Sequence, residues 1–197
     1  MHVIGLLGGV ASGKSLVARE LARLGAGLLD ADRAGHEVLG TPRVEAAARA
    51  RWGEAIFDPQ GRIDRARLGR IVFAEEGAPD RKYLEELTHP EIARRLKAEA
   101  ERLATEGYPA AVLDAPLLFE AGWDKLCDTL VFVDAPRPLR LARAQRRGWD
   151  ENDLAAREGV QMSLDLKRAR ADVVLDNSQS PEHIRAQVER LWHGLVG

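Results

Sequence analysis

Residues 8 to 15 of the chain, "GGVASGKS", put Gly8, Gly13, Lys14 and Ser15 at the spacing GxxxxGK[ST], with Gly9, Val10, Ala11 and Ser12 between them. Glycines at those places let the backbone curl so that successive N–H groups point inward, and a helix starting at the lysine adds its positive end to the same space. An anion with several oxygens fits such a cradle. Lys14 supplies a mobile cation able to follow phosphate charge, and the Ser15 hydroxyl stands where it could ligate a magnesium ion bridging two phosphates. A plain strand-to-helix turn would need a glycine or two but has no use for a lysine at a fixed position.

Two acids are candidates to act beside the cradle. Asp32, in "LLDADRAGHEVL", follows an apolar run by three residues and precedes a helical pattern. It reads as a helix N-cap, and equally as a carboxylate that accepts a hydroxyl proton and aims its lone pair; the two roles are compatible. Asp114 ends "AAVLD", small and apolar residues followed by an acid, the pattern of a carboxylate that holds magnesium through water.

Arg140, Arg143, Arg146 and Arg147 share one helical stretch, and spacings of three and four put residues 140, 143 and 147 on a common face. A basic face is commonly just solvated. It also suits a flap that closes over a transferring phosphoryl group, stabilising its spreading charge and excluding water. Asn177 and Ser178 are open to two readings, as a lining for a nucleotide base or as turn residues ahead of a helix beginning at Ser180, Pro181 and Glu182. His89, just before Pro90, stands next to a helix start.

The elements that must position these residues are legible from periodicity. Five short apolar runs are separated by helical patterns: residues 3–7, 27–29, 110–113, 129–133 and 173–175, the last four running into Asp30, Asp114, Asp134 and Asp176. Such alternation predicts a five-stranded parallel sheet flanked by helices, with ligands gathering beyond the carboxyl ends of the strands. Val17, Leu21 and Leu24 carry the helix after the cradle, closed by Gly25. About eighty residues separate the second and third runs, too many for one crossover helix, so an insertion is expected there. Its pattern is helical: "PRVEAAARARWG" and "DRARLGRIVF" flank a turn at residues 58–61. "HPEIARRLKAEAERLATEG" predicts a longer helix with Pro90 at its first position. The stretch "DENDLAAREGVQMSLDLKRARA" continues the helical pattern after the arginines.

Composition excludes several classes. The 197 residues suit one α/β core with insertions, and 29 basic against 31 acidic side chains leave a net charge of −2, without the footprint of a nucleic-acid or anionic-membrane binder. No apolar run approaches a membrane span, and the N-terminus lacks a signal-peptide pattern, so a cytoplasmic protein is expected. The single cysteine, Cys127, rules out an internal disulfide, and the five histidines lack metal-ligand spacing. A GTPase would share the cradle, and residues 58–61, "DPQG", match the loose DxxG pattern. No apolar strand precedes them, however, and no NKxD signature occurs. A non-catalytic nucleotide sensor would need neither Asp32 nor the arginines. A small-molecule kinase fits best.

The motifs "GLLGGVASGKS", "LLDADRAGHEVL", "QGRIDRARLGRIVF", "LTHPEI", "VLDAPLLFEAGW", "VFVDAP" and "DNSQSPEHI" occur in that order, and the chain resembles the dephospho-coenzyme A kinases over nearly its whole length. The resemblance implies a P-loop kinase fold with a helical acceptor-binding insertion and an arginine-bearing lid. It divides the chain into a nucleotide-binding core (1–32, 108–136 and 167–197), an insertion (33–107) and a lid (137–166). It implies transfer of the ATP γ-phosphate, with Mg2+, to the ribose 3′-hydroxyl of dephospho-coenzyme A, by a monomer or weak homo-oligomer. Residues 8 to 15, Leu16, Arg140 and Asn177 would then hold nucleotide. Asp32 would be the base, His89 and Leu117 would line the acceptor, Ser15 and Asp114 would hold the metal, and Arg143 and Arg146 would act from the lid. The chain has Val10 and Ala11 where many members have isoleucine and glycine, which narrows the freedom of the loop.

Overall fold

The computed structural model describes residues 1–74 and 76–196, which form two compact units, residues 1–30 with 97–196 and residues 31–74 with 76–96. The first unit is built on five strands: β1 (His2–Leu7), β2 (Gly27–Asp30), β3 (Ala110–Asp114), β4 (Thr129–Asp134) and β5 (Val173–Asp176). They lie in the order β2-β3-β1-β4-β5 and every pairing is parallel. The inner strands β3, β1 and β4 read as unbroken apolar runs because the sheet is covered on both faces there, whereas Leu28 of β2 and Val174 of β5, on the two edge strands, are exposed. In β1 residues 3–7 are all buried.

Helix α1 (Lys14–Arg23) follows β1 and is closed by a C-terminal turn in which Gly25 N–H donates to the Ala22 carbonyl and Ala26 N–H to that of Leu21, both at 3.0 Å. Its Val17 and Leu21 are fully buried, in one cluster with Ile4 and Leu6 of β1, Val112 of β3, Val131 of β4, and Ile184, Val188 and Trp192 of the C-terminal helix (Pro181–Val196). Truncating Leu21 to alanine would cost about 2–5 kcal/mol at such a site.

Register fixes the ends of the strands. Asp30 is paired with Asp114 across β2 and β3, Asp134 with Asp176 across β4 and β5, and Leu6, next to the last residue of β1, with Asp114. The four aspartates expected at one end of the sheet are all there, at the end from which the Gly8 loop leaves.

The second unit contains α2 (Ala31–Leu39), α3 (Pro42–Trp52), α4 (Arg65–Val72) and the first part of α5 (Ala78–Thr105). Ala48, Ile56, Phe57, Leu68 and Val72 form its core, with Trp52 and Leu84 packed against it. Residues 58–61 make the expected turn, with Gly61 N–H donating to the Asp58 carbonyl at 2.9 Å, and the Asp64 carboxylate caps α4 through the N–H groups of Ala66 and Arg67.

One expectation about helices is corrected. Pro90 does not begin a helix: α5 starts at Ala78 and runs through Pro90 for 28 residues. Pro79 occupies the starting turn, and the flanking apolar residues Leu84, Ile92 and Leu96 pack strongly enough to carry the helix past the missing N–H. The stretch from the arginines onward is helical, as expected, in separate pieces. After α6 (Arg137–Gln145) come α7 (Glu151–Gly159) and α8 (Leu164–Ala169), parted at residues 160–163, where the Ser163 hydroxyl accepts from Leu166 N–H and starts the second helix afresh.

Candidate active site

The loop between β1 and α1 has a shape that needs glycine at two points. Gly8 has φ +143°, and a Cβ there would lie 2.6 Å from the Val133 carbonyl oxygen and 2.7 Å from Ser12 Oγ. Gly13 has φ +107°, and a Cβ there would come within 2.1 Å of Asn177 Nδ2. Between them Ser12 N–H donates to the Gly9 carbonyl at 3.2 Å and curls the chain. Gly13 caps α1 without a side-chain hydrogen bond, and no acid stands in the first turn, so no carboxylate there offsets the positive end of the helix.

Lys14 folds back over this loop, its Nζ donating to the carbonyls of Gly8 and Gly9 at 3.0 Å each. Burial lowers its ammonium to about 8, against the opposing pull of Asp114, with the charges of Lys167, Arg140 and Arg147 adding to the fall. A lysine held in that state gains from an arriving anion. Ser15 Oγ donates to Asp114 Oδ2 at 2.9 Å, joining the first turn of α1 to the end of β3. A hydroxyl and a carboxylate are hard oxygen donors that suit Mg2+, which takes few protein ligands and completes its shell with phosphate oxygens and water. Among the described residues no group of three His, Cys, Asp or Glu side chains forms a metal site made by protein alone.

The cradle is braced from the other side of the sheet. Buried Asn177, directly after β5, donates from Nδ2 to the Ser12 carbonyl at 2.6 Å, and its own carbonyl accepts from Arg143 Nη2 at 2.9 Å. Arg143 Nη1 reaches the same Ser12 carbonyl at 3.0 Å. Arg140, only 5% exposed, donates from Nε to the Ala135 carbonyl at 3.1 Å, approaches the Val10 carbonyl at 3.5 Å and pairs with Glu158 of α7. Ala11 packs with Ala144 of α6 and Leu154 of α7, with Val10, Leu141 and Trp149 around them. Helices α6 and α7 therefore sit on the tip of the loop.

Arg146 ends α6 and is exposed. Among the described residues neither Arg143 nor Arg146 forms an ion pair with an acid. Burial, followed by the charges of Arg146 and Arg147, holds the Arg143 guanidinium below the ordinary arginine range.

Other predicted residues are placed differently. Leu16 is half-buried and packs into the core beneath the cradle. Leu117 is half-buried in the turn after β3, its carbonyl accepting from Ala121 N–H at 2.9 Å. Asp32 and His89 belong to the second unit. Asp32 lies inside the first turn of α2, exposed, because the helix already begins at Ala31; it is not the residue that precedes the helix. His89 is half-buried within α5, and burial lowers its imidazole against the pull of Glu85. Of the remaining aspartates, Asp134 pairs with Arg168, and Asp176 accepts from Ser178 N–H at 2.8 Å and Gln179 Nε2 at 3.1 Å, a turn-making role.

Sequence reasoning missed Glu158, the half-buried partner of Arg140, and Lys167, which is 2% exposed. Both lie in charged helical segments, and no motif or spacing sets them apart from solvated neighbours.

The family model for dephospho-CoA kinase matches residues 2–182 of the chain. The chain belongs to the dephospho-CoA kinase family. A dephospho-CoA kinase from Symbiobacterium thermophilum is 42% identical, covering 100% of this chain and 82% of its own length. One from Geobacter metallireducens is 43% identical over 98% of this chain and 96% of its own. Among solved structures, TT1252 from Thermus thermophilus superposes with a TM-score of 0.82 at 35% identity, covering 100% of this chain and 98% of that one. Shikimate kinase from Acinetobacter baumannii shares the fold, with a TM-score of 0.52 at 19% identity over 97% of this chain and 90% of its own. The P-loop kinase fold expected from the motifs is thus the one observed. No helix among the described residues is long and apolar enough to cross a membrane.

Proposed function

We infer that the protein transfers the γ-phosphoryl group of ATP to the ribose 3′-hydroxyl of dephospho-coenzyme A, yielding coenzyme A and ADP. The observation that carries this reading is the pairing of the Gly8–Ser15 cradle with Asp114 in a chain whose dephospho-CoA kinase match runs almost end to end. The loop N–H groups and the first turn of α1 hold the β- and γ-phosphates. Lys14 exchanges its two carbonyl partners for phosphate oxygens. Ser15 and Asp114 would hold Mg2+, which neutralises phosphate charge when bound.

In this reading residues 33–107 receive the acceptor, with His89 from that segment and Leu117 from the core lining it, and residues 137–166 act as the lid. Asp32 accepts the proton of the attacking hydroxyl. Because phosphoryl transfer passes through a loose transition state, the carboxylate works chiefly by orienting the hydroxyl in line. Arg143 and Arg146 supply positive charge to the departing phosphoryl oxygens, and Asn177 keeps the cradle in shape. The chain acts in the cytoplasm, as a monomer or weak homo-oligomer.

ADP release measured with dephospho-coenzyme A, adenosine or water as acceptor tests the assignment. Turnover should be fast with dephospho-coenzyme A alone. Equal rates with all three would reduce the protein to a nucleotide hydrolase.

A further inference from the structure

Lys167 is almost wholly buried, and the reaction described above gives it no task. It stands on α8. Its ammonium reaches three groups on two segments: the Pro116 carbonyl at 3.4 Å and Glu120 Oε1 at 3.5 Å in the turn after β3, and Gln161 Oε1 at 3.0 Å in the connection between α7 and α8. The same Glu120 oxygen accepts from Met162 N–H at 2.5 Å. One ammonium and one carboxylate oxygen therefore bind the α7–α8 connection to the turn that follows Asp114.

Burying the Lys167 ammonium beside a partly exposed Glu120 carboxylate carries a desolvation cost, and an apolar pair of equal volume would often serve stability as well. What an apolar pair cannot do is fix two backbone segments in register through directional bonds. Pro116 is two residues beyond Asp114, so a bond to its carbonyl sets the path on which the chain leaves β3 and hence where the Asp114 carboxylate stands relative to Ser15. The other end of the clamp is continuous with α7, which carries Glu158, the partner of Arg140, and Leu154, packed on Ala11 of the cradle. The charge of Lys167 is also felt at Lys14.

We propose that Lys167 is a positioning residue for phosphoryl transfer: with Glu120 it clamps the turn after β3 to the α7–α8 connection, and so holds the Asp114 carboxylate in place for Mg2+ while tying it to the arginine-bearing helices. The inference rests on the kinase reading above, yet it makes a claim about metal binding that can be read without turnover. A residue serving stability alone would affect nucleotide binding equally with and without metal, whereas one that aims Asp114 would affect chiefly the part that Mg2+ adds.

The experiment compares the unmodified protein with Lys167→Met, Lys167→Arg and the charge-free double variant Lys167→Met with Glu120→Gln. Thermal midpoint, turnover, and ADP affinity with and without Mg2+ are measured for each. Lys167→Met should leave metal-free ADP affinity within about twofold, cut the Mg2+-dependent gain at least fivefold and lower kcat at least tenfold. Lys167→Arg should recover part of both losses. The double variant should regain thermal stability without regaining the Mg2+ gain, and it keeps the test alive if the single Met variant does not fold. A double variant with wild-type Mg2+ dependence and kcat would overturn the proposal, as would losses equal in the presence and absence of metal. Failure of the unmodified protein to phosphorylate dephospho-coenzyme A would instead strike the kinase reading, and the metal-dependent binding contrast would still judge the clamp.

Discussion

Lys14 shows how a single side chain can be held in readiness. Its ammonium donates to two carbonyls and is lowered to about 8, so below that pH it meets phosphate already charged, and above it the charge must be restored on binding. ADP affinity should accordingly be flat up to about pH 8 and weaken as pH rises further, and Lys14→Ala should both flatten this profile and lower kcat by orders of magnitude in a folded protein. Binding titrations from pH 7 to 9.5 check the first part and steady-state kinetics the second. For the nucleotide-free fold the sign is opposite: between about 8 and the ordinary 10.5 the unfolded chain holds more protons, so this residue's contribution to stability rises with pH across that window. Ala11 is the only non-glycine with positive φ among the described residues, at 59°. Ala11→Gly should relieve the left-handed strain and, after the entropy glycine adds to the unfolded chain, stabilise by about 0.5–1 kcal/mol with activity retained, as a denaturant melt would register. Asp32→Asn keeps shape but removes the carboxylate to which the proposed reaction gives the hydroxyl proton. It should lower kcat strongly and leave ATP affinity nearly unchanged, and an unaltered kcat would leave Asp32 as a first-turn helix residue only.

At the scale of the element, α6 separates two arginines three residues apart. Arg143 is tied to the Ser12 and Asn177 carbonyls, while Arg146 ends the helix in solvent. Arg143→Ala should therefore cost thermal stability, by about 1.5–3 kcal/mol for its charged hydrogen bonds, and weaken nucleotide binding as the cradle loosens. Arg146→Ala should leave the melting curve in place and lower kcat/KM at least tenfold, with Arg146→Lys recovering only part, because an ammonium lacks the planar fork that grips two phosphate oxygens. Wild-type kinetics for Arg146→Ala would return it to the solvated surface. Helix α5 carries a different lesson. Local preference places a helix boundary at Pro90, but buried contacts on both sides hold one continuous helix there.

For the molecule as a whole, the arrangement in which α6 and α7 rest on the tip of the cradle links those helices and the glycine loop through Ala11, Ala144 and Leu154. An enzyme that excludes water only when its acceptor is bound should hydrolyse ATP slowly by itself. The acceptor-free ATPase rate should lie at least a hundredfold below turnover with dephospho-coenzyme A, measured by ADP release. Vigorous hydrolysis without acceptor would count against a water-excluding lid even if the arginines prove essential.

The amino-acid sequence by itself determined the strand, glycine loop and helix at the N-terminus, the five apolar runs and the aspartates that end four of them. Those features follow from local sterics and from periodicity, which act over a few residues. Family likeness then named the acceptor, which no periodicity could have done. Only the tertiary structure decided which aspartate meets Ser15, since the bond to Asp114 spans 99 positions and depends on β3 lying beside β1. It alone brought Asn177 and Arg143 to one carbonyl of the loop, across 165 and 131 positions, and took Arg140 and Lys167 out of solvent. A buried charge and an exposed one look the same in a helical stretch of mixed sign; they differ in what the rest of the chain packs around them, and that is settled only when distant segments exchange water for one another.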